Sequence, residues 1–183
     1  EHLDELRKVL FRSAVVIAVL MAVIFMAKDF VFNTVVFAPI DSDFILYQLI
    51  DKALLVLGMP TLPEFHLELI NIDLSAQFFI HISTTFYLSL VLAVPFIIYQ
   101  LWNFVSPALY ENEKRAAKAA FAFAGVLFLL GVLVGYYLIF PLTLRFLGTY
   151  QVSYEVANQI SLQSYISMFT WLILIMGVVF EMP

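Results

Sequence analysis

Glu181 has the most unusual surroundings of any ionisable residue in this sequence. It follows 25 consecutive residues without a charge, from Val156 to Phe180. Carboxylates inside a membrane are rare, and they usually face a protein interior or a water-filled cavity. Glu181 is therefore a candidate for an intramembrane polar site. The alternative is that the apolar segment is ending and that Glu181 lies among the lipid headgroups.

A second group of carboxylates flanks two of the apolar segments. Glu5 lies at the start of the first segment, and Glu111 and Glu113 lie between the second and the third. The aromatic residues near them, which are expected to be exposed, are Trp102, Phe104 and Tyr110. This combination suits a ligand with arginine beside an apolar stretch, because guanidinium pairs with carboxylate through two hydrogen bonds. The alternative is that these carboxylates are ordinary solvated loop charges.

Polar side chains also share one face of the second apolar segment. Gln77, His81 and Thr84 lie at helical spacing, and such groups can hydrogen-bond a neighbouring helix in lipid. A packing role is favoured for His81. His2 and His66 have no metal-ligand spacing with it, and the chain lacks cysteine. The sequence thus predicts no metal and no cofactor, and the absence of phosphate-binding and nucleophile motifs predicts that the chain is not an enzyme.

The elements that position these residues are expected to lie in a bilayer. Hydrophobic residues make up 63% of the 183 residues and charged residues 13%, against about 45–50% and about 25% in soluble domains. The mean hydropathy is +0.99. A soluble protein of this size could not bury so much apolar surface. The net charge of −5 and the absence of a basic stripe exclude nucleic-acid binding.

Stretches without charge divide the chain into transmembrane segments, since about 20 helical residues cross the hydrocarbon core. Helices are favoured over a β-barrel because the segments do not alternate in polarity. We therefore predict an all-α, polytopic helical membrane protein that forms one transmembrane domain over 1–183. Its four predicted spans lie near 9–28, 76–99, 118–141 and 164–183.

The distribution of lysine and arginine predicts the orientation in the membrane. Six of the nine basic residues flank the N-terminus and the 100–117 loop, which are therefore predicted to be cytoplasmic. The other three are spread over longer connections, so 29–73 is predicted to be a periplasmic loop. Within it, an apolar stripe over Phe44–Leu57 predicts a helix that Gly58 ends.

Small residues and prolines give expectations about helix packing and extent. Gly131 and Gly135 would let another helix approach closely, and packing within the chain is favoured over a dimer contact. Pro95 and Pro141 are expected to kink or end their helices. Since the chain stops directly after the hydrophobic fourth segment, we expect it to be a piece of a longer protein.

Four segments match, in order, the motifs of one family. Residues 1–8 resemble its His-Leu-x-Glu-Leu-Arg signature, and 37–40 resemble a proline-containing stretch, here with Pro39. Residues 95–115 resemble its most distinctive block, Tyr-Gln-x-Trp-x-Phe, then Pro-Ala-Leu-Tyr and a glutamate followed by basic residues. Residues 180–183 resemble its Phe-Glu-x-Pro. The chain thus resembles the TatC family, the multi-spanning receptor subunit of the twin-arginine protein translocase.

The resemblance implies six transmembrane helices, of which four are present, in a bacterial-type inner membrane with a cytoplasmic N-terminus. It implies a cytoplasmic patch for the arginine pair of a signal peptide, and a partner contact within the membrane at Glu181 and Gln77. Val9 stands where many members have a second basic residue, so Arg7 is the least secure member of the patch. The implied signal-peptide-binding residues are Glu5, Arg7, Phe104, Tyr110 and Glu113.

The predicted function is that of a signal-peptide receptor and core subunit of a Sec-independent translocase for folded proteins, driven by the proton motive force. The implied partners are twin-arginine signal peptides, small single-span subunits of the TatA and TatB type, the bilayer and further copies of the chain. A proton-coupled small-solute transporter that uses Glu181 is one alternative, and a purely structural membrane scaffold is another. Loss of peptide binding on charge reversal at Glu113 would separate the first function from both alternatives.

Overall fold

A computed structural model confirms that the chain is an all-α, polytopic helical membrane protein. Four helical segments are long and apolar enough to cross a membrane: His2–Met26, Ala76–Ala108, Glu111–Thr149 and Leu162–Val179. The structure describes residues 2–63, 66–153, 155–156 and 159–182. Glu1 and Pro183, which belong to the matched motifs, lie outside these ranges.

The elements follow one another along the chain with short irregular connections. The α-helices are α1 (His2–Met26), α2 (Lys28–Phe30), α3 (Ile45–Val56), α4 (Ala76–Val105), α5 (Glu111–Val134), α6 (Phe140–Thr149) and α7 (Leu162–Val179). Wider π-helical turns cover Val31–Val36 and Gly135–Ile139, and 3-10 turns cover Ala38–Ile40 and Ser106–Ala108. Two short parallel strands, β1 (Leu69–Ile70) and β2 (Ile160–Ser161), pair with Leu69 opposite Ile160.

Helix α4 holds the bundle together, because it packs against α1, α5 and α7. Its apolar sequence continues as a helix through Pro95, so the expectation that Pro95 ends its helix is wrong. Pro141 lies in the first turn of α6, within the continuous helical segment Glu111–Thr149. The π-helical turn at Gly135–Ile139 comes just before it, and such local widening re-satisfies backbone groups next to a proline in membrane helices.

Gly131 on α5 and Gly135 at the start of the following π-helical turn lie against α7, as the preference for packing within the chain predicted. A methyl group on Gly131 would lie 2.5 Å from the carbonyl oxygen of Met176 and 3.0 Å from the Cα atom of Gly177. A methyl group on Gly135 would lie 3.1 Å from the Cβ atom of Met176. Glycine is needed here because the two backbones nearly touch.

The best-buried side chains lie at the 29–73 end of the bundle. The helix predicted over Phe44–Leu57 is confirmed as α3, and it packs onto the π-helical turn between α5 and α6. The largest fully buried side chains of the described residues include Val36, Tyr47, Phe140, Tyr165 and Phe169. The connection therefore forms a packed lid on the helices, which we call the loop cap (residues 31–63).

Candidate functional site

The turn between α4 and α5 presents Glu113 to the surroundings. Tyr110 is extended just before α5, and its backbone N–H donates to the Glu113 carboxylate at 3.4 Å. The Glu113 N–H in turn donates to the Tyr110 carbonyl oxygen at 2.9 Å. This reciprocal arrangement is typical of a helix N-terminus, where a glutamate in the first turn satisfies a free backbone N–H. It holds an exposed carboxylate in place beside the Tyr110 ring, which is 76% exposed.

The neighbouring carboxylates differ from Glu113 in their partners. Glu111 pairs with Lys114 at 3.4 Å, and Glu5 pairs with Lys8 at 3.4 Å. Both pairs are exposed contacts within one helix, which contribute little and exchange readily. In the part of the chain that the structure describes, Glu113 has no cationic partner. Its carboxylate is therefore the one in this group that is most available to a positively charged ligand.

Glu5 and Glu113 lie on different helices that pack on the same neighbour. Glu5 is in the first turn of α1, Glu113 is in the first turn of α5, and both helices contact α4. No hydrogen bond or ion pair joins them among the described residues. Arg7 is exposed on α1. The structure thus places the predicted patch residues on three adjacent helices, without a direct contact between the two carboxylates.

The aromatic residues of this region are less exposed than the sequence suggested. Trp102 and Phe104 are half-buried near the end of α4, and the Trp102 ring lies 5.6 Å from the ring of Phe121 on α5. The expectation of exposed rings is therefore wrong for these two residues. The Trp102 ring helps to fill the space between α4 and α5, because the chain folds back sharply after α4. Only Tyr110 is fully exposed.

Glu181 lies one residue beyond a close contact with the middle of the long third segment. The Cβ atom of Phe180 would lie 2.9 Å from a methyl group on Gly131. Gly131 is 13 residues after Lys118 and 14 residues before Arg145, which is about 20 Å from each at 1.5 Å per residue. Glu181 is exposed. Glu181 therefore lies at the level of the centre of the third segment, far from both Lys118 and Arg145.

Gln77 lies far from Glu181. It is exposed in the first turn of α4 and lines a polar depression with Lys28, Asn33 and Leu162. Leu162 begins α7, and Glu181 follows the end of the same helix, so about 26 Å separates the two ends at 1.5 Å per residue. The structure therefore does not bring these two predicted contact residues into one site.

His81 packs among aromatic rings, in keeping with the packing role that was favoured for it. Its ring is stacked on Phe25 at 4.0 Å and meets Phe32 edge-on at 5.7 Å. The described residues contain no group of three or more His, Cys, Asp or Glu side chains that could hold a metal ion. His81 thus joins α4 to α1 and to the start of the loop cap.

Sequence reasoning missed the residues that attach the loop cap to the bundle. The Tyr47 hydroxyl donates to the carbonyl oxygens of Pro39 and Pro141, each at 3.1 Å. The Tyr165 hydroxyl donates to the carbonyl oxygen of Val36, and the Arg145 guanidinium donates to that of Pro63. Pro39, which belongs to a matched motif, thus contributes its backbone to this attachment. No local sequence signal marks this attachment, because Tyr47 and Pro141 are 94 residues apart in the chain.

Comparisons with known proteins agree with this architecture. The family model "Sec-independent protein translocase protein (TatC)" matches residues 1–183. TatC proteins of Blattabacterium sp. subsp. Periplaneta americana (strain BPLAN) and Escherichia coli (strain K12) are each 32% identical over the whole chain, and the alignment covers 70% and 62% of their lengths. TatC of Aquifex aeolicus (strain VF5) is 32% identical, with 68% of its length covered.

A solved structure is also similar over the whole chain. It is described as the crystal structure of the twin-arginine translocase receptor TatC, and it has a TM-score of 0.73 and 31% sequence identity. The match covers 100% of this chain and 72% of that one.

The fold and the matched relatives define a polytopic helical membrane protein of a bacterial translocase. The chain belongs to the TatC family of Sec-independent protein translocase proteins. It spans between 62% and 70% of the length of the three relatives named above. None of these comparisons supports the alternative of a small-solute transporter.

Proposed function

We propose that the chain binds twin-arginine signal peptides of folded proteins at the membrane face that carries Glu5 and Glu113. The observation that carries this proposal is the Glu113 carboxylate, which is exposed, held by the Tyr110 N–H, and without a cationic partner among the described residues. A peptide guanidinium group would supply that partner through a charge-assisted hydrogen bond. The exposed ring of Tyr110 and the half-buried ring of Phe104 offer apolar surface to the residues that follow the arginine pair.

Glu5 would accept the second arginine of the peptide. Its existing pair with Lys8 is exposed and spans one helical turn, so a ligand can replace it at little cost. Arg7, in the same turn of α1, would keep the local charge from becoming strongly negative. The mechanism is binding without catalysis, and the energy for transport comes from the proton motive force and not from a nucleotide.

The same proposal assigns the orientation and the partners. The N-terminus and the 100–117 loop face the cytoplasm, and 29–73 faces the periplasm of a bacterial inner membrane, as the excess of basic residues at the former indicates. Small single-span subunits of the TatA and TatB type would contact the membrane-embedded face near Glu181, and further copies of the chain would join the complex. Gln77, near the opposite end of α7, would form a separate polar contact.

The experiment is a binding titration of a fluorescent twin-arginine peptide with purified protein in detergent. Glu113→Ala is expected to weaken binding about tenfold or more, since a partly exposed charge-assisted pair is worth about 1–3 kcal/mol and about 1.4 kcal/mol is a factor of ten. Glu113→Gln should weaken it less than Glu113→Lys. Glu113→Gln also keeps an acceptor for the Tyr110 N–H, so it separates charge from helix capping.

The matched control is Glu111→Gln, because Glu111 lies in the same turn but is already paired with Lys114. It should bind the peptide almost as tightly as the unaltered protein. A peptide with lysine in place of both arginines should bind weakly to every variant, since lysine cannot form the bidentate pair. Equal affinity of the three Glu113 variants for the twin-arginine peptide would refute the proposed patch.

A further inference from the structure

An open groove runs between α4 and α5 on the side of their connecting turn. Its walls are mostly apolar and include Pro95 and Trp102 from α4 with Phe121 and Leu129 from α5. Gly125 also lines the groove, and a methyl group added to it would meet no atom within 4 Å. The missing side chain thus leaves space that neither helix fills. In a bilayer, such a groove faces the acyl chains.

One end of the groove carries a positive charge. Lys118 lines it together with Trp102 and Asn103, and no carboxylate lines it. Lys114, one turn earlier, is paired with Glu111 at 3.4 Å, whereas no ion pair of Lys118 occurs in the described ranges. An apolar protein helix laid in the groove would leave this ammonium group without a counter-ion. A ligand with an anionic head and an apolar tail would complement both parts.

The dimensions of the groove fit one leaflet. Lys118 and Leu129 are 11 residues apart on α5, which is about 16 Å at 1.5 Å per residue. Half of the hydrocarbon core is about 15 Å. Trp102 and Tyr99 lie toward the Lys118 end, and these residue types are enriched at the level of the headgroups. The charged end is thus at headgroup depth and the apolar end is near the midplane.

We propose that this groove binds an anionic phospholipid from the leaflet that faces the α4–α5 turn. The Lys118 ammonium group pairs with the lipid phosphate, and Asn103 offers a hydrogen bond to the headgroup. One acyl chain lies over Gly125 and extends to Leu129. The lipid fills the space that the half-buried Trp102 and Phe121 rings leave open, and it supports the turn that presents Glu113.

The test uses Trp102 as a reporter within the groove. The chain has two tryptophans, and Trp171 on α7 does not line this groove, so Trp171→Phe leaves one fluorophore. The protein is reconstituted into vesicles of phosphatidylcholine and phosphatidylglycerol in which one lipid or the other carries bromine on its acyl chains. At equal mole fraction, brominated phosphatidylglycerol is expected to quench Trp102 more strongly, with a preference of about fivefold for one paired lysine.

Two variants assign the effect to the groove. In Lys118→Gln, the two brominated lipids are expected to quench Trp102 about equally. In Gly125→Leu, quenching by both lipids is expected to weaken, because the leucine side chain occupies the path of the acyl chain. The matched controls are Arg115→Gln, an exposed cation that does not line the groove, and Ala120→Leu, an exposed position on the same helix outside it. Neither control should change the preference.

Three outcomes would overturn the proposal. Equal quenching by the two lipids would mean that the groove does not select a charge. An unchanged preference in Lys118→Gln would place the anionic site elsewhere. Weak quenching of Trp102 by both lipids, with strong quenching of Trp171 in a Trp102→Phe protein, would show that a protein segment covers the groove instead.

Discussion

The guanidinium carbon of Arg145 lies 4.8 Å from the centre of the Tyr47 ring. Tyr47 belongs to α3 in the loop cap, and Arg145 belongs to α6 at the end of the third transmembrane segment. The same ring is fixed at its other end, where the hydroxyl donates to the carbonyl oxygens of Pro39 and Pro141. A cation above the ring and two acceptors at its edge thus join the loop cap to the bundle.

Tyr47→Phe is expected to destabilise the protein by about 1–3 kcal/mol, because it removes the buried hydroxyl that donates to the carbonyl oxygens of Pro39 and Pro141. Thermal unfolding in detergent, followed by circular dichroism, measures the effect. Tyr99→Phe, which alters an exposed tyrosine on α4, is the control and should change the melting temperature much less. Identical losses in both variants would contradict the role of Tyr47.

The stabilisation by Tyr47 should depend on pH in the alkaline range. Burial raises the pKa of Tyr47 to about 12, and the nearby Arg145 offsets only part of this rise. The unfolded chain releases the same proton at about pH 10. The neutral Tyr47 hydroxyl therefore makes its full contribution to the free energy of unfolding below about pH 10, and this contribution is lost as the pH rises through about 12. The stability difference between the unaltered protein and Tyr47→Phe should shrink over that interval, and a constant difference would contradict this assignment.

Gly131→Ala and Gly125→Ala are expected to have opposite effects, although both add one methyl group to α5. The methyl group on Gly131 would lie 2.5 Å from the Met176 backbone, so α5 and α7 must separate, at a cost of about 1–3 kcal/mol. The methyl group on Gly125 meets nothing within 4 Å, and alanine favours a helix by about 0.5–1 kcal/mol over glycine. Melting temperatures in detergent distinguish the two variants. Equal shifts would argue against tight α5–α7 packing.

The proposed orientation can be tested with single cysteines, since the chain has none of its own. Asp51 is unsuitable because its carboxylate accepts the backbone N–H of Leu62 at 2.9 Å. Gln48→Cys places a thiol at an exposed position of α3, and Asn112→Cys places one at an exposed position in the first turn of α5. In intact cells an impermeant reagent should label Gln48→Cys but not Asn112→Cys until the membrane is permeabilised. The reverse pattern would invert the proposed topology.

The membrane helices could be predicted from the sequence because lipid leaves the backbone only one way to satisfy its hydrogen bonds within a segment. Any long stretch without charges therefore becomes a helix, and even Pro95 and Pro141 do not end one. The position of Glu113 was also predictable, since the motif around it ends one helix and begins another. These features depend on residues that are close together in the sequence.

The attachment of the loop cap could not be predicted, because it depends on contacts between distant residues. Tyr47 and Pro141 are 94 residues apart, and the apolar stripe over Phe44–Leu57 does not indicate which distant carbonyl group the Tyr47 hydroxyl meets. The distance between Gln77 and Glu181 could not be predicted either, because the sequence gives the length of α7 but not which helices lie beside its two ends. The close packing of α5 against α7 at Gly131 shows which helix lies beside the Glu181 end.

Glu181 is expected to contact the membrane helix of a partner subunit. Its neighbour Phe180 contacts Gly131, midway between Lys118 and Arg145 on the third segment, which supports a location near the bilayer centre. Carboxylates at that depth usually face a polar partner or a water-filled cavity, and no ion pair of Glu181 occurs among the described residues. We therefore expect a polar side chain of a partner subunit to form a hydrogen bond with Glu181.

A hydrogen bond between Glu181 and a polar side chain on the membrane helix of a partner is worth only about 0.6–2 kcal/mol in lipid, so it would set the position of the partner helix without holding the complex alone. Glu181→Gln should preserve docking, and Glu181→Ala should shift the pattern of crosslinks to the partner without abolishing assembly. Crosslinking from single cysteines placed along the partner helix measures both effects. The same crosslinks in Glu181→Ala as in the unaltered protein would contradict this contact.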